Sequence, residues 1–326
     1  MNKVMVTGGA GYIGSHIVRK LAESGYYVLS LDKAPPLRIE HERIIEYTID
    51  LKNTVELDKL FKENTDIECI IHCAGELGIK RSFLEKELFY SENVYAMDCL
   101  LNAMIQNKIH NIIFSSSAAV YPNSNKPLAE GTVLYPEYMS PYSLSKYIGE
   151  EKLRSISSQY GINYIAFRYF NIWGCDLYNP SIVKKYLEID NILPNLINVS
   201  NRNNSIIING NDYDTVDGTC VRDYLDVREL ARLHIMALKR LTSSGWAHDL
   251  NGVYNAGSGN ELSVFQLINI FNHITGASMT PIYAERRNGD ASYLCANIEK
   301  TRKTFSWNPQ INYEELISSL WNANSI

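Results

Sequence analysis

A glycine-rich segment near the start of the chain limits the folds that this sequence can adopt. Residues 7–16 read TGGAGYIGSH, follow an apolar run at residues 4–6, and lead into a helical pattern of apolar residues. Glycines at such a strand-to-helix junction let the backbone approach a pyrophosphate, which the N-terminus of the helix then stabilises. We therefore expect a βαβ unit that binds a dinucleotide. The expected cofactor contacts in this segment are Gly8, Gly11, Tyr12, Ile13 and Gly14.

Strand and helix patterns alternate through the first half of the chain. The candidate strands are residues 4–6, 27–31, 44–49, 69–73, 111–115 and 164–167, and the candidate helices lie near residues 13–24, 54–64, 84–107 and 142–160. This alternation is typical of an α/β fold with a Rossmann-type doubly wound parallel sheet.

The alternation loosens after about residue 171, where an asparagine-rich stretch precedes a short apolar run. We expect residues 1–171 to form the dinucleotide-binding domain. Residues 172–326 should form mainly a smaller C-terminal α/β lobe that binds the substrate, with crossings back into the first domain near residues 219–255. The later candidate elements are a strand at residues 206–208, a helix at 227–241, a strand at 253–254 and a helix at 264–274.

Composition excludes several other classes of protein. The net charge of −5 offers no general attraction for nucleic acid or for an anionic membrane surface. The sequence begins with a strand pattern rather than a charged leader, and no apolar run approaches the ~18 residues of a membrane span, so we expect a cytoplasmic protein. Six cysteines are scattered without a CxxC pair, which predicts neither a disulfide framework nor a metal site.

Two acidic residues at predicted strand ends point to the cofactor. Asp32 ends the second strand, where a carboxylate accepts hydrogen bonds from the adenosine ribose and repels a 2′-phosphate, so the sequence favours NAD over NADP. Lys33 is a mild signal in the opposite direction, because a cation there could pair with a phosphate. Asp50 and Leu51 at the end of the third strand could flank the adenine, although a solvated strand end is the alternative interpretation.

Tyr142 and Lys146 are candidates for the chemistry. They are four residues apart, so a helix would place them on one face, and Ser140 and Pro141 before them suit the N-cap and N1 positions. We expect the lysine ammonium and a positive nicotinamide to lower the pKa of the phenol. Ser117 leaves the fifth strand at the carboxyl edge of the sheet, where its hydroxyl can bind the reacting oxygen.

Several segments together resemble the extended short-chain dehydrogenase/reductase family, and within it the UDP-glucose 4-epimerases. The matching segments are TGGAGYIGSH at 7–16, HCAG at 72–75, SSSAAVY at 115–121, SPYSLSK at 140–146, RYFN at 168–171, GNDYDTVDGTCVRDY at 210–224 and RRNGD at 286–290. The long segment at 210–224 is far more specific to these epimerases than the glycine-rich segment, which many dehydrogenases share.

The resemblance implies a set of site residues and a reaction. It implies that Ser117, Tyr142 and Lys146 are catalytic and that Asn93 and Tyr169 join the NAD contacts. The implied contacts to a UDP-sugar are Ser117, Asn171, Asn191, Arg222, Arg287 and Asp290. The implied reaction is transient oxidation at C4 of the sugar, in which hydride passes to NAD and returns to the opposite face. By the same analogy, helices near 84–107 and 142–160 would form a homodimer contact.

The sequence departs from the family pattern at several positions. Leu77 replaces a usual lysine, Ala119 replaces a common threonine, and Asp226 stands where a histidine is frequent. An ungapped alignment also places Leu294 at a position that gates the pocket beside the C2 substituent, where a small residue admits N-acetylated sugars. Tyr293 is its neighbour, and a shift of one residue would close that gate.

Two other functions compete with an epimerase. A nucleotide-sugar dehydratase or decarboxylase could use the same fold, but such dehydratases need an acid next to the catalytic hydroxyl, and Ala118 and Ala119 supply none. A non-catalytic NAD-sensing protein would not need Ser117, Tyr142 and Lys146 together.

Overall fold

A sheet of seven parallel strands is the largest element of the structure, a computed structural model that describes residues 3–175, 180–189, 191–200, 204–243, 248–287 and 290–324. The strands are β1 (Lys3–Thr7), β2 (Tyr27–Asp32), β3 (Ile44–Thr48), β4 (Ile67–His72), β5 (Asn111–Ser117), β6 (Asn163–Tyr169), β7 (Asn171–Trp173), β8 (Ser205–Asn209), β9 (Val221–Arg222), β10 (Tyr224–Asp226), β11 (Gly252–Ala256), β12 (Leu262–Ser263), β13 (Thr280–Ala284) and β14 (Tyr293–Leu294). The large sheet has the order β11-β6-β5-β4-β1-β2-β3.

Helices connect and cover these strands. The α-helices are α1 (Tyr12–Glu23), α2 (Thr54–Glu63), α3 (Ile79–Leu84), α4 (Lys86–Tyr90), α5 (Ala96–Gln106), α6 (Pro141–Tyr160), α7 (Pro180–Leu187), α8 (Ile192–Ser200), α9 (Val227–Thr242), α10 (Val264–Thr275), α11 (Glu299–Phe305) and α12 (Tyr313–Asn324). A π-helical turn (Ser91–Tyr95) joins α4 to α5, and single 3₁₀ turns lie at Ala118–Val120, Pro136–Tyr138 and His248–Leu250. Within the described residues, no helix is long and apolar enough to cross a membrane.

Both faces of the large sheet are buried. Successive side chains of a strand point to opposite faces, so Val4 and Val6 pack towards α1 and α9, whereas Met5 packs towards α2 and α5. The strand order reverses between β1 and β4, and open α/β sheets bind ligands at the carboxyl ends of the strands beside such a reversal. The predicted doubly wound parallel sheet is confirmed.

The region predicted as one helix near 84–107 is more complex. A break at Glu85 separates α3 from α4, and the π-helical turn interrupts the ladder before α5. The chain is helical throughout from Lys86 to Gln106, so the helix predicted near 84–107 is confirmed with a π-helical turn inside it, and α3 was not predicted. Its six residues bury only Ser82, so they carry no apolar period that a sequence pattern could reveal.

A second hydrophobic core lies in the C-terminal part of the chain. It joins Trp173 and Tyr186 to apolar residues of α8, β8, α10 and α12. α9 and β11 belong instead to the large sheet and its covering layer, because β11 pairs with β6 and α9 packs on α1. The division at residue 171 stays a prediction.

A buried ion pair joins α6 to the large sheet. Glu150 of α6 accepts two hydrogen bonds from the Arg168 guanidinium of β6, at 2.9 Å and 2.6 Å, and a third from the Ser116 hydroxyl of β5 at 2.5 Å. The Arg168 guanidinium also lies 4.7 Å from the ring centroid of Tyr121. Both charged side chains are less than 5% exposed, at 4% and 1%. A bidentate geometry of this kind offsets the cost of removing two charges from water.

We expect Glu150→Ala to lower the free energy of unfolding by about 3–5 kcal/mol, because it leaves the Arg168 charge buried without its partner. Urea denaturation of protein with matched nucleotide content measures the change. The control is Glu151→Ala, which removes a carboxylate that pairs with the exposed Arg154 and should cost at most ~1 kcal/mol. Equal losses in the two variants would contradict a special role for the buried pair.

Candidate active site

One cavity at the carboxyl ends of the strands collects most of the predicted cofactor contacts. All of them except Asn93 line it, and they are Gly8, Gly11, Tyr12, Ile13, Gly14, Asp32, Asp50, Leu51, Tyr142, Lys146 and Tyr169. The cavity begins beside the strand-order reversal between β1 and β4. The topology of the sheet therefore brings together residues that lie up to about half of the chain apart.

The glycines of this cavity are required by close packing. Gly8 has a φ of +72°, and a Cβ there would lie 2.6 Å from the Ala74 nitrogen. A Cβ on Gly14 would lie 2.1 Å from the Gly8 carbonyl oxygen. The first turn of α1 presents backbone N–H groups that have no partner within the helix. A loop this tight at a helix N-terminus fits the pyrophosphate of a dinucleotide.

Asp32 is held in one orientation at the end of β2. Its two carboxylate oxygens accept hydrogen bonds from the backbone nitrogens of Ala10, at 3.0 Å, and Ala34, at 2.9 Å. Lys33 lies beside it but pairs with Glu76 and Glu92. The Asp32 carboxylate is therefore oriented to accept hydrogen bonds from a ribose diol. The neighbouring Lys33 ammonium is already paired with two glutamates. Asp50 also lines the cavity and accepts a hydrogen bond from the Lys52 nitrogen at 2.9 Å.

Asn93 lies behind the cavity rather than in its wall. Its amide binds the backbone of Glu76 through two hydrogen bonds, of 2.7 Å and 3.1 Å, and donates a third, of 2.9 Å, to the Ser145 hydroxyl. These contacts use most of the hydrogen-bonding capacity of the side chain. Asn93 therefore ties the loop after β4 to α6, and its direct contact with the cofactor stays a prediction.

α6 carries the candidate catalytic pair. Ser140 caps the helix through a 3.1 Å hydrogen bond from the Ser143 nitrogen and Pro141 is its first residue, as predicted. Tyr142 and Lys146 both line the cavity, and the Lys146 ammonium donates a 3.0 Å hydrogen bond to the Ser115 carbonyl. Ser117, at the end of β5, receives a 3.2 Å hydrogen bond from the Ala119 nitrogen and hydrogen-bonds to Tyr142.

Burial governs the acidity of this pair. Desolvation lowers the pKa of Lys146 to about 8, and desolvation raises the pKa of Tyr142, which the hydrogen bond with Ser117 opposes. The expectation that the Lys146 ammonium and a positive nicotinamide together lower this pKa stays a prediction, because in the protein alone burial outweighs the hydrogen bond with Ser117. The physical reason is that the phenolate loses more hydration than the protein contacts restore, and the ammonium is directed at the Ser115 carbonyl.

A series of buried, hydrogen-bonded side chains behind the site was not predicted from the sequence. The Tyr169 hydroxyl lies 2.7 Å from the Ser115 hydroxyl and 2.8 Å from His234 Nε2, and His234 Nδ1 lies 2.9 Å from the Leu230 carbonyl. A carbonyl only accepts, so Nδ1 carries the proton and Nε2 accepts from Tyr169. Burial lowers the pKa of His234 to about 4, which keeps it neutral. Only tertiary packing brings α9 beside β6, so no local pattern marked His234.

A second cavity collects predicted substrate contacts. It is lined by Asn171, Asn191, Arg222, Arg287 and Asp290. Arg222 Nη2 lies 3.8 Å from Asp290 Oδ1, and the buried Nε of Arg287 makes no hydrogen bond within the described structure. A buried donor at a cavity, with no partner among the described residues, is available to a ligand oxygen. Two guanidinium groups at one cavity suit the oxygens of a diphosphate. Asn288 and Gly289 of the RRNGD segment lie outside the described residues.

A third cavity adjoins the second. It is lined by Ala119, Ser140, Ser143 and other residues, and it shares Asp290 with the second cavity. Ala119 follows Ser117 by two residues, and Ser140 and Ser143 flank Tyr142 in the chain, so segments that carry two of the candidate catalytic residues also supply walls of this cavity.

Leu294 and Tyr293 face different surroundings. Leu294 pairs in register with Arg222 and packs against the cluster that holds Ala118 and Val120, directly after Ser117. The Tyr293 side chain belongs to a separate cluster with Val221, and its hydroxyl bonds to Glu261. Alternation along β14 therefore directs Leu294, and not Tyr293, towards the serine segment.

The departures from the family pattern also have structural positions. Asp226 caps α9 by accepting a 2.7 Å hydrogen bond from the Arg228 nitrogen and pairs with the Arg228 guanidinium. Leu77 lines the cofactor cavity and is 61% exposed, so it leaves that wall without the charge of a lysine. All six cysteines are free thiols. Among the described residues, no group of histidines, cysteines and carboxylates is arranged to hold a metal ion.

Comparisons with known proteins agree with this geometry. The sequence model of the NAD dependent epimerase/dehydratase family matches residues 4–257. UDP-glucose 4-epimerase of Halalkalibacterium halodurans is 32% identical over 326 residues, which cover 98% of this chain and 94% of that protein. The structure of UDP-glucose 4-epimerase from Bifidobacterium longum in complex with NAD⁺ and UDP superimposes with a TM-score of 0.86 at 28% identity, covering 99% of this chain and 98% of that one.

A third similarity bears on sugar choice. The UDP-Glc/GlcNAc 4-epimerase of Campylobacter jejuni superimposes with a TM-score of 0.81 at 26% identity, covering 100% of this chain and 99% of that one. The family match spans more than half of the chain, and the curated relative exceeds 30% identity over nearly its full length. The chain therefore belongs to the NAD dependent epimerase/dehydratase family.

Proposed function

We propose that the protein is a UDP-hexose 4-epimerase that interconverts UDP-glucose and UDP-galactose with NAD as its cofactor. The observation that supports this proposal is that Tyr142 and Lys146 line the cavity that fits a dinucleotide, while Arg222 and Arg287 line a second cavity that fits a diphosphate. The full-length relatives that are named UDP-glucose 4-epimerase support the same reaction.

The residues divide the chemistry between them. NAD, when bound, supplies the acceptor and donor of the hydride at C4 of the sugar. Tyr142 Oη takes the proton of the sugar 4-hydroxyl and returns it after the hexose has turned over, and the Ser117 hydroxyl holds the reacting oxygen. Lys146 remains mostly protonated at pH 7, because its pKa lies at about 8, so its charge favours the phenolate against the effect of burial.

Binding energy is concentrated away from the sugar. Arg222 and Arg287 would hold the diphosphate, and Asn171, Asn191 and Asp290 would complete the nucleotide contacts. The third cavity contains one charged residue among its lining groups, Asp290, so the hexose has few strong contacts to break. Anchoring the part of the substrate that does not react, while the hexose rotates, is what an epimerase requires.

The surroundings of the protein are also part of this proposal. Six free thiols fit a reducing compartment, which supports cytoplasmic residence. Exposed Leu84, Tyr90 and Tyr95 lie on the helical segments near 84–107, and they support the use of that surface in a homodimer.

The reaction is tested by incubating purified protein separately with UDP-galactose, UDP-N-acetylgalactosamine and UDP-glucuronate and identifying the products. We expect epimers without loss of water or carbon dioxide. Tyr142→Phe serves as the control and should lower kcat by at least ~10², because it removes the positioned acid/base. Dehydrated or decarboxylated products would identify the competing reaction, and normal turnover by Tyr142→Phe would exclude Tyr142 from the mechanism.

Arg222→Ala should weaken the binding of UDP by ~1.5–3 kcal/mol, the range for a hydrogen bond to a charged group. Calorimetric titration with UDP measures the change, and the NAD content should stay constant because the two phosphate sites are separate. Arg286→Ala is the matched control, since that arginine pairs with the exposed Asp212 and lies outside the cavity lining. If Arg222→Ala binds UDP with unchanged affinity, Arg222 does not bind the diphosphate.

Leu294 is the proposed gate for the C2 substituent. We expect the parent protein to turn over UDP-N-acetylglucosamine as well as UDP-glucose. Leu294→Tyr should reduce kcat/KM for the acetylated sugar selectively by roughly 5- to 150-fold, because extra bulk in a packed site costs ~1–3 kcal/mol. Leu294→Met, which conserves volume, should leave the ratio of the two substrates nearly unchanged. An absence of acetylated turnover in the parent, or equal loss for both sugars in Leu294→Tyr, would refute the gate.

A further inference from the structure

A network of ion pairs borders the cofactor cavity beside Asp32. The Lys33 ammonium lies 3.2 Å from Glu76 Oε1 and 2.9 Å from Glu92 Oε2. Glu92 also pairs with Lys52, and Glu76 Oε2 lies 2.7 Å from Arg81. Lys33, Glu76 and Glu92 all line the cavity. The carboxylates of Glu76 and Glu92 therefore hold the cation that follows β2 directly, beside the carboxylate of Asp32 at the cavity.

The two glutamates are held in place by their backbones. Glu92 and Asn93 are consecutive residues of the π-helical turn, and the Glu92 side chain pairs with Lys33 at the cavity while that of Asn93 binds the backbone of Glu76 behind it. Asn93 binds both the nitrogen and the carbonyl of Glu76 and is itself anchored to Ser145 of α6. The Glu92 side chain is 11% exposed and that of Glu76 is 20% exposed, against 49% for Lys33. The carboxylates are thus more restrained than the lysine that they bind.

This arrangement bears on which dinucleotide the cavity accepts. In folds of this type a cation near the end of the second strand accommodates the 2′-phosphate of NADP, and an acid there binds the ribose hydroxyls of NAD. Lys33 follows Asp32 and could supply such a cation. The other basic residues of the described cavity lining are engaged elsewhere, since Lys146 donates to the Ser115 carbonyl and Lys185 to the Ala10 carbonyl.

We propose that Glu76 and Glu92 are determinants of cofactor specificity, because they sequester Lys33 and so deny a 2′-phosphate the cation that directly follows Asp32. Discrimination against NADP at this site then depends on three carboxylates rather than on Asp32 alone. A 2′-phosphate would have to break two ion pairs of Lys33 and would still lie near two displaced carboxylates. The inference rests on the proposed use of this cavity for NAD.

The test compares the parent with Glu76→Gln/Glu92→Gln, in which both side chains keep their length but lose their charge. Each purified protein is incubated with equal concentrations of NAD and NADP, desalted and denatured, and the released nucleotides are separated and quantified. We expect the ratio of NADP to NAD to rise by at least ~10-fold in the double variant, the order expected for one charge-assisted hydrogen bond. Preference should shift without reversing, because Asp32 remains.

Two further variants test whether a gain in bound NADP depends on the ion pairs of Lys33. Glu85→Gln removes a carboxylate that pairs with Arg81 but does not contact Lys33, so it should leave the nucleotide ratio at the parent value. Adding Lys33→Ala to the double variant should abolish the gain in NADP. An unchanged ratio in Glu76→Gln/Glu92→Gln, or a gain that survives the loss of Lys33, would overturn the proposal.

The outcomes separate this inference from the assignment of the cavity. Release of no dinucleotide from the parent would refute the proposed cofactor site itself. Release of NAD from every protein, with no gain in NADP, would leave that site intact and refute only the role of the glutamates. If the double variant fails to fold, the single variants Glu76→Gln and Glu92→Gln decide the question, since each frees one of the two partners of Lys33.

Discussion

The buried pair of Glu150 and Arg168 supports the candidate catalytic geometry. Its bidentate hydrogen bonds and the bond from Ser116 join α6, β5 and β6 at one place, one helical turn beyond Lys146. Ser117 stands one residue after Ser116, and Tyr142 stands two turns before Glu150 on the same helix. The pair therefore sets the distance between the hydroxyl of the strand and the phenol of the helix. Its geometry must be good, because a misaligned ion pair in such a place would cost more than it contributes.

Two electrostatic environments meet in the cofactor cavity. Around Tyr142 the protein is buried, and His234 is uncharged, whereas Lys146 keeps most of its charge at pH 7 because its pKa is lowered only to about 8. Around Asp32 the rim consists of exposed and half-buried ion pairs. The first environment suits proton transfer, where small changes in charge have large effects in a low dielectric. The second suits recognition, because it discriminates between ligands that differ by a phosphate. Tyr12 links these parts to the C-terminal residues through a 2.6 Å hydrogen bond to the Gly174 carbonyl.

The features that could be predicted are those with a local pattern. Glycine spacing, strand and helix periods, and the four-residue interval between Tyr142 and Lys146 are all properties of contiguous chain, and each corresponds to an element in the structure. The features that could not be predicted arise between elements that are distant in the chain. Asn93 of the π-helical turn binds the backbone of Glu76, and the pKa of Tyr142 is raised because burial outweighs the hydrogen bond with Ser117. His234 lies on α9, 65 residues along the chain from Tyr169, its hydrogen-bond partner at the site.

By itself, the sequence determined the class of fold, the place of the dinucleotide loop and the identity of the phenol and lysine that face one side of α6. These depend on interactions between residues that are close in the chain, such as helix caps, apolar periods and glycine conformations. Only the tertiary structure decided which charges neutralise one another and which polar groups are left without a partner. The sequence left open whether Lys33 binds a phosphate, and the structure brings Glu76 and Glu92 to it across 43 and 59 residues. The structure also shows that Arg287 Nε is buried without an acceptor among the described residues. The physical reason is that electrostatic energy depends on distance and burial, and chain order specifies neither for residues on different elements.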